Sequence, residues 1–217
     1  MTAAFQYDPN ALLIVRHGQS TWNAQRRWQG QANPPLSEQG EQESTQAAAI
    51  ITALRITTAA VGASDLERTI ATATPIAAAL GLRVHTDARL RERDAGAWQG
   101  LTHDEIRAQY PNWLETKRRP EGFEPDEAIY QRVTEGLTDL YSKGIRLVIS
   151  HGGVMRLLAR AYGVDDLIPR NLDGIQLSWP IPGPDGSPGA KLEVLRTLGE
   201  AEVGMEGVVT REDSERV

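Results

Sequence analysis

Residues 11–15 form an unbroken apolar run of strand length that ends at Arg16-His17-Gly18. Such a run, without alternation, suits a strand buried on both faces. Within 37–54 the apolar positions Ala47, Ile50, Ile51 and Leu54 recur at helical spacing, which predicts a helix. Residues 57–63 are small and β-branched and predict a second strand. Ile70, Ala73, Ala77 and Leu80 mark one face of the next helix, with Gly81 as its stop. Pro75 lies inside that helix and is expected to kink or split it. Residues 82–86 predict a third short strand.

Thr102 and Glu105 have the spacing of a capping box and open another short helix. Residues 107–125 carry no clear period and hold prolines and the basic run Lys117-Arg118-Arg119. Ile129, Val133, Leu137 and Leu140 then mark a long amphipathic helix. Residues 146–150 predict a strand, and 154–162 a helix opening after Gly152-Gly153. Residues 175–179 and 192–195 flank a turn-rich stretch and read as a late hairpin. The reading gives one domain over 1–199 and an acidic, pattern-poor tail over 200–217. Strands alternating with helices imply an α/β sandwich. In such folds ligands bind beyond the carboxyl ends of the strands. Arg16-His17 and His151-Gly152-Gly153 each follow a strand, so the two histidines are expected to meet at one sheet edge.

Composition narrows the function classes. The chain has 217 residues and no cysteine, which excludes disulfides, thiolate catalysis and thiolate zinc sites. Its opening is polar, with no basic flank before an apolar run, and does not read as a signal peptide. A cytoplasmic protein is expected, with no membrane partner. The net charge of -6 argues against a nucleic-acid or anionic-membrane binder. It does not argue against an anionic substrate. Surface charge is screened beyond roughly 8 Å, whereas a site residue acts at about 3 Å.

Four segments carry candidate chemistry. Arg16-His17-Gly18, with Asn23 beyond it, places a histidine and a planar cationic fork on a strand end. Ser64-Asp65-Leu66-Glu67-Arg68-Thr69 puts Arg68 at a strand-to-helix junction. Glu92 lies among Arg91, Arg93 and Arg89, and its bland reading is an ordinary salt bridge. His151-Gly152-Gly153 opens a helix whose first N–H groups could face an anion. Each segment alone has an ordinary structural explanation. Their joint order, each at an element end, is specific.

With all four in place, the sequence resembles the histidine phosphatase superfamily, also called the phosphoglycerate mutase-like family, over about residues 12–179. The resemblance implies a three-layer α/β/α sandwich around a mixed, mostly parallel sheet. It implies His17 as the phosphorylated nucleophile and Arg16, Arg68 and His151 as the phosphate pocket, supported by Asn23. Gln29, Gly30 and Gly152 are counted with the substrate-binding residues. Glu92 matches the proton donor, because Gly152 stands where another branch places an Asp. A protonated His151 is expected to act beside the two arginines as a cation. No metal and no cofactor are expected. The expected activity is hydrolysis of a small phosphate monoester. The rivals are a cofactor-dependent phosphoglycerate mutase and an inactive phospho-ligand-binding module. The short stretch between Glu92 and His151 favours the phosphatase, since its one basic run reads as a solvated turn. Gly122-Phe123-Glu124-Pro125 only partly matches the Gly-Gly-Glu-Ser of many family phosphatases. His85 and His103 read as structural or surface residues, and Trp22, Trp28 and Trp98 as pocket walls or core.

Overall fold

A computed structural model describes residues 5–181, 191–195 and 208–209. Seven strands form one mixed sheet: β1 (Leu12–Arg16), β2 (Val61–Ala63), β3 (Val84–Thr86), β4 (Leu147–Ser150), β5 (Gly174–Leu177), β6 (Leu192–Leu195) and β7 (Val208–Val209), in the order β3-β2-β4-β1-β5-β6-β7. The first four of that order run parallel, and the other three pair antiparallel in turn, so five of the seven strands share one direction. The helices are α1 (Thr21–Ala24), α2 (Glu38–Ala53), α3 (Glu67–Leu80), α4 (His103–Gln109), α5 (Asp126–Ser142) and α6 (Gly152–Ala161).

The apolar run of β1 supplies both cores, because successive side chains point to opposite faces. Leu12 and Ile14 pack with Ile129, Val133 and Leu137 of α5 and with Val154 and Leu158 of α6. Leu13 and Val15 pack with Ala47 and Ile51 of α2 and with Ala73 and Ile76 of α3. Helices on both faces make the three-layer α/β/α sandwich. A third cluster is local. Trp98 is fully buried with Ala95 and Ile106, and Trp28, Tyr110 and Phe123 pack against it.

The predicted elements are present, most of them shorter. Thr58 and Ala60 lie outside β2, where Thr58 Oγ1 bonds the Ala60 carbonyl at 2.6 Å and closes a turn. Pro75 does not split α3, which runs unbroken to Leu80 and stops at Gly81 in the left-handed region. The capping box at Thr102 and Glu105 is formed. Gly152 and Gly153 belong to α6, whose cap is His151. The late hairpin is β5–β6, and the predicted turn at 182–190 lies outside the described residues. Val208–Val209, within the stretch read as a tail, pairs with β6, and the rest of 196–217 lies outside the described residues.

Candidate active site

Three neighbouring parallel strands end side by side and deliver the chemistry. Arg16 pairs with Ser150 in register, so His17 and His151 leave β1 and β4 together. Ser64 leaves β2 one strand further along. The two imidazole rings meet edge to face at 5.3 Å.

His17 is 2% exposed, and its Nδ1 lies 2.6 Å from the Gly18 carbonyl. A carbonyl only accepts, so Nδ1 carries the proton and Nε2 keeps a free lone pair. Burial, then the Arg68 and Arg16 guanidinium groups, hold this histidine well below its ordinary range. It is a neutral imidazole at physiological pH.

His151 is fully buried, and its Nε2 lies 2.8 Å from Ser64 Oγ. Its Nδ1 is buried without a hydrogen-bond partner among the described residues. Burial, then Arg68, His17, Arg16 and Arg132, push its pKa well down. The sequence expectation of a cationic His151 is therefore corrected: the ring here is uncharged, because desolvation and the neighbouring arginines oppose a further charge.

The arginines are positioned by backbone carbonyls. Arg16 Nη1 donates to Pro169 O at 2.8 Å. Arg68 has no exposed surface and donates from Nη1 to Ala32 O at 2.8 Å and from Nη2 to Gly30 O at 2.9 Å. The Nε of each is buried and unbonded among the described residues. Burial and Arg16 lower Arg68 to about 10 against the pull of Glu92, so it remains a cation at neutral pH. Gly30 has φ +54, a left-handed conformation that suits glycine, and presents its carbonyl to Arg68 there. Asn23 Oδ1 accepts the Ser20 N–H at 3.2 Å and the Asn171 amide at 3.4 Å, which leaves the Asn23 amide nitrogen as a donor. Gln29 Oε1 accepts Ser20 Oγ at 2.8 Å, with the same result for its amide.

Among the described residues Glu92 makes no ordinary salt bridge. Its flanking arginines turn elsewhere: Arg91 binds Asp65 with two 2.6 Å bonds, and Arg93 binds Asp126. Glu92 Oε1 instead accepts the Arg93 N–H, and Oε2 the Gly153 N–H, both at 2.8 Å. The Gly153 N–H, read from the sequence as free for an anion, is thus taken by Glu92.

Arg16, His17, Asn23, Gln29, Gly30 and Arg68 all line one cavity of about 1380 Å³, as do Glu92 and Gly152. His151 packs edge to face on His17, is fully buried and is not among the residues that line the cavity. The wall holds nine Lys and Arg against five Asp and Glu, the reverse of the chain's 23 against 29. Lys117 and Arg119 are exposed at a turn, as their plain reading has it, and also stand on that wall. The segment folds back because the Ala95–Phe123 bridge ties it to the Glu92 loop, and Arg119 stacks over Phe123 at 5.1 Å. His103 and Trp28 also line the cavity, whereas Trp98 is core. Sequence reasoning gave no role to Ser64, Asn171 or Arg132. Ser64 lay inside a quoted motif, while Asn171 and Arg132 act over long sequence separations that leave no local signal. Among the described residues no group of His, Asp and Glu is arranged to hold a metal ion.

A three-layer sandwich that brings two histidines and two arginines to neighbouring parallel strand ends defines an enzyme frame of the phosphatase and mutase type. The chain belongs to the histidine phosphatase superfamily, branch 1, whose model matches residues 12–178. It is 38% identical over 160 residues to the bifunctional protein Rv2228c of Mycobacterium tuberculosis, covering 70% of this chain and 44% of that one. It thus spans under half the length of that relative. It is 39% identical over 151 residues to a probable phosphoglycerate mutase GpmB of Enterobacter, covering 65% of this chain and 69% of the relative. The mycobacterial glucosyl-3-phosphoglycerate phosphatase Rv2419c, solved with VO3, superposes with a TM-score of 0.70 at 30% identity, covering 78% of this chain and 91% of that one. Bacillus stearothermophilus YhfR gives 0.69 at 27% identity, covering 77% and 90%.

Proposed function

We propose that this protein hydrolyses phosphate monoesters of small metabolites through a phosphohistidine at His17. The observation that carries the reading is the Nδ1 bond from His17 to Gly18 O, which leaves Nε2 as a neutral nucleophile among buried, unbonded guanidinium N–H groups. Nε2 attacks phosphorus in line, the phosphorus–ester oxygen bond breaks, and Glu92 protonates the departing oxygen. Water then attacks the phosphohistidine, the N–P bond breaks, and Glu92 takes a proton back. Charge on the three equatorial oxygens is met by Arg16 and Arg68 and by donors from His151, Asn23 and Gln29. His151 donates from Nδ1 when its Nε2 accepts the Ser64 hydroxyl.

The cavity is far larger than one phosphate needs, and its outer wall is cationic. This favours esters with a second anionic group. A second reading is a phosphoglycerate mutase, favoured by Lys117 and Arg119 on the wall and by the name of the GpmB relative. The test is acid quenching after brief turnover, with mass mapping of the labile phosphate, beside measured phosphate release. Label on His17 with release of inorganic phosphate from monoesters is the expected result. Label elsewhere, or full activity of His17→Ala, rejects the nucleophile. Interconversion of 2- and 3-phosphoglycerate far above every hydrolysis rate selects the mutase.

A further inference from the structure

Glu124 stands in the partial motif Gly122-Phe123-Glu124-Pro125, to which the phosphohistidine scheme gives no task. Its side chain is 17% exposed, at the wall of the same cavity, and is held in a fork made by Arg132 of α5. Arg132 Nε donates to Glu124 Oε1 and Nη2 to Oε2, both at 2.7 Å. The remaining Arg132 hydrogens go to the chain that carries the proton donor. Nη1 donates to Arg89 O at 2.8 Å and to Arg91 O at 2.7 Å, and Nη2 donates to Glu92 O at 3.1 Å. A guanidinium has five N–H donors, and here all five are used.

The arrangement is directional. Residues 89–92 lead out of a short 3-10 turn (Ala88–Leu90) towards the cavity, and 91–92 lie in no strand or helix. Three of their carbonyls converge on one cation, which α5 holds in place. Glu124 neutralises that cation and orients its plane. The far carboxylate oxygen of Glu124 also accepts the Asp94 N–H at 3.1 Å, and Glu124 N donates to Asp94 O at 3.0 Å. The pair therefore grips the acid's loop on both sides of Glu92. Burial works to raise the Glu124 carboxyl, and the Arg132 bonds, the Asp94 N–H and Arg93 outweigh it, so the carboxylate stays charged. A Lys at 132 would keep the charge and lose the planar fork that reaches three carbonyls and a carboxylate at once.

We infer that Arg132 and Glu124 are positioning residues, which hold the Glu92 loop so that its carboxyl reaches the leaving-group oxygen. The inference rests on the reading of Glu92 as proton donor, and the experiment separates the two. Turnover is compared on alkyl phosphates, which need protonation, and on aryl phosphates with acidic leaving groups, which do not. Arg132→Lys is expected to slow alkyl phosphates by about 10²-fold, the scale of an ångström-sized misplacement, and to leave aryl phosphates near wild type. In the double variant Arg132→Lys with Glu92→Gln, alkyl turnover is expected to equal that of Glu92→Gln alone, since both changes remove one function. Equal loss on both substrate classes, or multiplicative losses in the double variant, overturns the inference and leaves a purely structural ion pair. If Glu92→Gln alone shows no leaving-group contrast, the proton-donor reading fails and the inference with it. Should Arg132→Lys fail to fold, Glu124→Gln tests the same contrast, because it weakens the fork while keeping its shape.

Discussion

Glu92 Oε2 accepts the Gly153 N–H at 2.8 Å, which ties the loop of the proposed acid to the first turn of the helix capped by His151. A Cβ at position 153 would overlap Glu92 Oε1. Glycine is disfavoured in a helix by roughly 0.5–1 kcal/mol against alanine. Its presence here is explained by the carboxylate that occupies the space.

Gly153→Ala is accordingly expected to separate stability from activity. The helix gains propensity, and the flexible end of Glu92 gives way. The melting temperature should stay within a few degrees of wild type, since about 1 kcal/mol shifts a domain of this size by roughly 2–4 °C. Alkyl phosphate turnover should fall with the displaced acid, and aryl phosphate turnover should fall less. Calorimetry and a leaving-group series check both halves. Unchanged alkyl turnover would mean that the carboxyl works from another position.

The buried histidines set a pH dependence with a definite sign. His17 and His151 both lie well below the ordinary histidine range in the folded protein. As pH falls through about 6.5, the unfolded chain therefore takes up protons that the folded one refuses. Stability from these two sites is fully present above that pH and is lost as pH drops towards the folded values. The same shift keeps His17, the proposed nucleophile, neutral in mild acid. The acid limb of kcat/KM, corrected for substrate ionisation, is expected below pH 6.5. A limb at or above that value, moved by substitution of His17 or His151, would contradict the neutral pair.

Ser64 offers a test of tautomer. Thr69 Oγ1 donates to Leu66 O at 2.6 Å, and Ser64 Oγ accepts the Leu66 N–H at 3.3 Å. The single Ser64 hydroxyl hydrogen has two acceptors in reach, Thr69 Oγ1 at 2.9 Å and His151 Nε2 at 2.8 Å, and the proposed Nδ1–H tautomer of His151 requires that it go to the histidine. Ser64→Ala should release the tautomer and cost roughly tenfold to hundredfold in kcat, the scale of one hydrogen bond to a charged transition state. Ser64→Thr should restore it. Nitrogen NMR of the His151 ring reports the tautomer directly. An unchanged ring with lowered activity would assign Ser64 to packing instead.

Local pattern carried much of this architecture. The uniform burial of Leu12 to Val15 is legible because a strand covered on both faces has no polar alternation. His17, Arg68 and His151 are legible because each stands where a strand ends and a helix or turn begins. What stayed hidden depends on contacts far apart in sequence. Asn171 Nδ2 bonds the His17 carbonyl at 2.8 Å across 154 positions, and no local period reports that. Arg132 is a polar position of an amphipathic helix with nothing local to single it out, and only the folded chain shows three carbonyls around it. That the exposed Lys117 and Arg119 also reach the cavity wall was not legible, because the bridge that brings their segment there pairs Phe123 with Ala95.

That segment gives the last prediction. Arg119 stacks over Phe123 at 5.1 Å and over Trp98 at 5.4 Å, which holds an exposed cation at the cavity wall. Burial and the nearby Arg93 lower its pKa against Asp126, so an anion arriving there relieves repulsion as well as gaining attraction. Lys117 lines the same wall with φ +58, a strained backbone for a side chain of its kind. Both line the same cavity as Arg16 and Arg68 but are exposed, whereas Arg68 is buried, so they are placed to meet the group that the proposed phosphate is attached to. Lys117→Ala and Arg119→Ala should therefore raise KM for phosphate esters bearing a carboxylate or second phosphate, by about threefold to tenfold each, since exposed charges are partly screened. Neutral alkyl phosphates of the same size should bind as before, and kcat should change little on either class. High salt should shrink the wild-type preference towards that of the variants. Equal effects on neutral and anionic esters would show that the two cations do not read the substrate's second charge.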